Sequence, residues 1–113
     1  MIAGNREFVR TNPVATKRAV RELLNANQVC ARAPDRVARF LVDGGYTDQY
    51  DYALEAIKDG SYGEWRDFDA EDTLRFWSLR LYEAGMIKST PDQILQRGTD
   101  WRILNELKQE LKP

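Results

Sequence analysis

The 113-residue chain is predicted to fold as an all-α domain of about six or seven helices, packed as a compact orthogonal or irregular bundle. Three observations predict it. Capping residues followed by proline or acid recur along the chain as helix starts. Glycines follow the apolar stripes where helices should stop. No stretch of four to eight residues alternates as a strand between turn signals. The whole of residues 1–113 reads as one helical domain, without repeats, low-complexity tracts or linkers.

Residues 2–10 can form a short leading helix. Asn12-Pro13 starts a long helix, because asparagine can accept from free N–H groups and proline at the first position removes one of them. Thr16, Val20, Leu23, Asn27 and Cys30 form its apolar face, and it runs to about Ala31. Ala33-Pro34 starts the next helix, with Val37, Phe40 and Leu41 inward and Gly44-Gly45 as the stop. Thr47 is positioned to cap a helix from Asp48 to Asp59, striped by Tyr50, Leu54 and Ile57 and ended by Gly60.

Ser61 to Phe68 reads as a loop rich in aromatics. Asp69 caps a helix that runs to Ala84 and stops at Gly85, with Asp72 three residues on in a capping-box-like position. Leu74, Trp77, Leu81 and Tyr82 form one apolar arc of this helix, and Phe76 and Leu79 lie on the other side. A helix apolar on both sides calls for cover on both sides. Thr90-Pro91 starts a short helix ending near Gly98. Thr99 or Asp100 caps the last, with Trp101, Leu104, Leu107 and Leu111 on one face.

Composition narrows the function classes. The chain has no histidine, which removes His-based triads, His general bases and His metal sites together. Its single cysteine, Cys30, excludes an internal disulfide and lies on an apolar stripe without a base, so it reads as a structural residue. No apolar run approaches the ~20 residues of a membrane span, and the N-terminal residues carry no export signal. Net charge is −1, but it is segregated: residues 1–43 carry +4, residues 44–72 carry −7 and residues 73–113 carry +2. The blocks read as mutually neutralising or solvated faces. Lys17, Arg18, Arg21, Arg32, Arg36 and Arg39 lack interleaved aromatics, so no nucleic-acid partner is expected.

The remaining candidates for chemistry have plain structural explanations. The run Asp67 to Asp72 lacks the glycine and glutamate of a calcium loop, which would fall at Asp72 and Ser78. Asp48, Asp51 and Glu55 share a helix face and read as solvated. They also argue against taking Asp43 to Thr47 as the turn of a DNA-binding helix pair, since they would repel phosphate. Neither a cofactor nor a metal is expected, and no catalytic residue is assigned. An enzyme would need a pair of carboxylates in a pocket. The loop Tyr62, Trp65, Arg66 and Phe68 is the best interaction candidate, since Trp, Tyr and Arg dominate interface energies. Covering the core edge is the other role open to these rings.

Five stretches carry a resemblance. They are Asn5-Arg6-Glu7-Phe8-Val9-Arg10, Asn12 through Ala19 (NPVATKRA), Asp72-Thr73-Leu74-Arg75-Phe76, Leu81 through Ile87 (LYEAGMI) and Gly98 through Lys108 (GTDWRILNELK). In this order, over essentially the whole chain, they resemble the C-terminal part of periplasmic substrate-binding proteins of ABC importers, in the nitrate, sulfonate, taurine and thiamine-precursor branch. The resemblance implies the helical C-terminal segment of a type II periplasmic binding protein, a non-catalytic part of ligand uptake that packs against two α/β lobes. Met1 to Gly4 is then similar to an internal stretch of a longer chain. The strands of the lobes, most of the cleft and the export signal are not in this sequence, so no ligand-binding residue is carried over.

The resemblance implies a periplasmic location. The implied partners are the rest of a substrate-binding protein or a separate partner chain, with an ABC permease or a second copy as further candidates. The alternative is a stand-alone helical protein-protein interaction module, which would be cytoplasmic. The candidate interface under either reading is Tyr62, Trp65, Arg66, Phe68, Phe76 and Leu79.

Overall fold

The computed structural model describes residues 2–112, and the described residues are helical, without strands. Met1, where the resemblance places the internal start, lies outside them. Among the described residues seven α-helices follow one another: α1 Arg6–Thr11, α2 Pro13–Arg32, α3 Pro34–Asp43, α4 Tyr50–Asp59, α5 Ala70–Glu83, α6 Pro91–Gly98 and α7 Arg102–Glu110. The expected loop after Gly60 contains a 3-10 helix, Tyr62–Arg66. The contacts cluster into two compact units, one ending at Arg66 and one beginning at Asp67.

In the first unit, Asn5 starts α1 by accepting from the backbone N–H groups of Glu7 (2.9 Å) and Phe8 (3.2 Å) at its Oδ1. Asn12 does not cap α2 with its side chain, contrary to expectation. Its Nδ2 instead donates to the Phe8 carbonyl at 3.2 Å, which closes α1. Proline at the first position of α2 makes a side-chain cap less necessary there. Along α2 the buried centre is Leu24, not Leu23, which is exposed. Thr16, Val20, Asn27 and Cys30 stay half-buried, so the expected face borders the buried line instead of centring it.

The core of this unit is Ala38, Ala53 and Ile57, with Cys30, Val37, Leu41, Tyr50, Leu54 and Tyr62 packed against it. Helix α3 packs on α4, and α2 touches α1, α3, α4 and the 3-10 helix. Ala38 is fully buried because its methyl group lets α4 approach closely. That choice turns Phe40 outward: it is 65% exposed, where inward packing was expected. Helix α4 starts at Tyr50, later than expected. Thr47 Oγ1 accepts only a long contact from Gln49 N (3.5 Å), and Gln49 precedes the helix without a side-chain cap.

The second unit opens with Asp69, whose carboxylate accepts from Asp72 N at 2.9 Å as expected. Helix α5 then packs with α6. The most buried residue of α5 is Ser78; Leu74 and Leu81 are half-buried, while Trp77 and Tyr82 are exposed rather than on the covered arc. Thr90 and Gln93 form a reciprocal capping box at the start of α6.

Thr99 closes α6 by donating Oγ1–H to the Leu95 carbonyl at 2.6 Å, which leaves Asp100 to organise the start of α7. Asp100 accepts from the Arg102 backbone (3.2 Å) and from its guanidinium (2.6 and 2.9 Å). That guanidinium holds the Asp100 carboxyl down at about 2. Trp101 precedes α7 instead of lying within it, and Leu107 is the fully buried residue of that helix.

Candidate interaction surfaces

The six candidate interface residues divide between the two units. Tyr62, Trp65 and Arg66 belong to the 3-10 helix of the first unit, and Phe68, Phe76 and Leu79 lie in the second. Tyr62 is half-buried and packs on the Ala38, Ala53 and Ile57 cluster, so its ring is a piece of the core edge. Trp65 is half-buried, with the Arg66 guanidinium 4.5 Å from its ring centroid. A planar cation over an indole face is attracted by the ring quadrupole, and it holds the indole in one orientation.

The candidates of the second unit are more open. Phe68 is 56% exposed, Phe76 50% and Leu79 39%. Phe76 meets Trp77 edge to face with centroids 5.5 Å apart, and the Arg80 guanidinium lies 5.3 Å from the Phe76 centroid. Trp77 belongs to this surface through its contact with Phe76, and Tyr82 and Met86 are exposed in the same unit, though the sequence placed none of the three in the candidate interface. The missed signal was the inner line of α5: half-buried Leu74 and Leu81 flank Ser78, which places Trp77 and Tyr82 at its borders.

Charges around α5 are already matched. Arg75 donates to Asp92 at 2.7 Å and lies 3.7 Å from Glu71; the bond to Asp92 is the main cause raising the Arg75 pKa. Arg80 pairs with Glu83 at 2.9 Å. A shallow open depression lined by Asp69, Glu71, Asp72 and Arg75 sits at the start of this helix. Asp69 is committed to capping and Glu71 to Arg75.

The other sequence candidates are dispersed. Cys30 packs against the first core. Among the described residues, no group of three His, Cys, Asp or Glu side chains is placed to hold a metal ion, and no helix is long and apolar enough to cross a membrane. Arg39 lies over the Tyr50 ring at 4.2 Å, so one member of the basic block is engaged within its own unit. Comparison with protein-family models, with curated proteins and with solved structures finds no match.

Proposed function

We propose that the chain acts as the helical C-terminal segment of an ABC-importer substrate-binding protein in the periplasm. It would be a non-catalytic part that braces the ligand-binding lobes and shapes docking to the permease. The carrying observation is the balance of apolar residues. Among the described residues six hydrophobic side chains are buried, while fourteen large ones are exposed. Exposed apolar surface on that scale marks a face that another surface covers. The outer side of α5 is its densest part, with Phe76, Trp77 and Leu79 in four consecutive positions.

The reading frame upstream of the Met1 codon tests this. An open frame encoding an export signal and two α/β lobes is expected. A stop codon and ribosome-binding site directly before Met1 overturn the reading. The stacked, half-exposed Trp65–Arg66 pair favours one other function, a stand-alone helical interaction module. For that module, Trp65→Ala abolishes partner binding and leaves the melting temperature unchanged. A drop in melting temperature without a binding defect assigns Trp65 to the core edge.

A further inference from the structure

The outer face of α3 carries a self-complementary pattern. Measured from fully buried Ala38 at 100° per residue, Asp43, Arg36 and Phe40 lie at about 140°, 160° and 200°, on the exposed side of the helix. Arg36 stands in the first turn and Asp43 is the last helical residue. Both signs oppose the helix dipole, which favours acid at the N-terminus and base at the C-terminus. The two charges are seven residues apart, about 10 Å along the axis, too far to pair with each other. Among the described residues neither makes an ion pair.

Beside these charges an aromatic shelf is built. Phe40 stacks on Tyr46 with centroids 6.2 Å apart, yet the two rings stay 65% and 73% exposed. Gly44 makes room for the shelf, since a Cβ there would come within 2.6 Å of the Tyr46 ring.

We propose that α3 pairs antiparallel with α3 of a second copy of this chain, with the two-fold axis beside Phe40. In that arrangement Arg36 faces Asp43 of the other copy, and Asp43 faces its Arg36, as an isologous contact requires. Each misplaced charge then sits near the helix end of the sign it favours. The two aromatic shelves meet on one side of the helix pair. A ten-residue helix and one ring per copy form a small interface, on the order of 1,000 Å² in total, so the dimer is weak. Helix α5 offers no such match, because Arg75 and Arg80 already have partners in their own chain. The pairing uses residues of the first unit alone and does not rest on the importer reading.

Sedimentation equilibrium of the whole chain, from about 10 μM to about 1 mM, tests it in the range where an interface this small associates. The expected result is a monomer–dimer equilibrium that Arg36→Asp and Asp43→Arg each weaken at least tenfold. The double reversal Arg36→Asp/Asp43→Arg restores it, and Phe76→Ala leaves it unchanged. Both reversals agree with the α3 dipole, so the double variant keeps its helix content by circular dichroism. Raising salt from about 50 to about 500 mM weakens the wild-type dimer as well. A wild-type chain that stays monomeric to about 1 mM overturns the proposal. So does a dimer indifferent to the single reversals, or a folded double variant that does not recover.

Discussion

Two helical hairpins of this protein end their first helix in the same way and then diverge. In α3–α4, the Tyr46 N–H reaches the Leu41 carbonyl and the Gly45 N–H reaches that of Val42 (2.9 and 3.0 Å). In α5–α6, forty residues on, Met86 and Gly85 make the same bonds to Leu81 and Tyr82, both at 3.0 Å. Gly45 and Gly85 adopt φ of +74° and +71°, the left-handed conformation that closes a helix C-terminus. The likeness lies in the backbone, and few side chains repeat, so no repeat shows in the sequence itself. The turns match and both hairpins leave rings exposed, Phe40, Tyr46 and Tyr52 in one and Phe76, Trp77 and Tyr82 in the other, yet α3–α4 closes over Ala38, Ala53 and Ile57, and α5–α6 buries only Ser78 and Leu95 among its described residues. Turn geometry therefore sets where the chain reverses. The side chains opposite each other decide how much apolar surface the reversal buries.

The largest expected difference between the hairpins is in their apolar residues. Ile57→Ala removes a buried side chain and leaves a cavity, costing about 2–4 kcal/mol. Phe76→Ala, on a half-exposed ring, costs under about 1 kcal/mol. Urea unfolding followed by circular dichroism measures both. Equal losses would mean that α5 is packed as closely as α4.

A smaller effect should be shared. Gly45→Ala and Gly85→Ala each force a Cβ into the left-handed region and cost about 1–2 kcal/mol. Nothing stands within 4 Å of either added Cβ, so the cost is conformational in both. Unequal losses would break the equivalence of the turns.

The smallest difference lies at the starts of the second helices. Thr90→Ala removes the capping box of α6 and lowers stability by about 1 kcal/mol. Gln49 has an extended backbone and no side-chain cap, so Gln49→Asp gains about 0.5 kcal/mol. A melting series across the two variants should show these opposite signs.

Helix starts and stops were the most legible features. Pro13, Pro34 and Pro91 each open a helix, and Asp69 and Thr90 cap as their residue types require. Facing was less legible. The expected inward line of α3 ran through Val37, Phe40 and Leu41, and the structure keeps Val37 and Leu41 half-buried but centres the line on Ala38. Hydropathy favours phenylalanine as the inward residue. Close packing against α4 selects alanine, because a ring would hold the helices apart. The same contest on α5 set Ser78 inward and Trp77 outward. Of the candidate interface, Phe76 and Leu79 were visible as a second apolar side, whereas the exposure of Trp77 depended on which line α5 buries.

Local rules were thus written in the sequence: the helical class, the boundaries near proline and glycine, and the absence of histidine chemistry. These depend on residues within a turn or two of one another, where capping and backbone preference act. Tertiary structure alone decided which face of each helix is buried, with Ala38 inward on α3 and Phe40 left exposed beside Tyr46. Those outcomes depend on the volume available between helices distant in sequence. Apolar periodicity narrows a helix face to an arc, and only the shape of the neighbouring helix selects the residue at its centre.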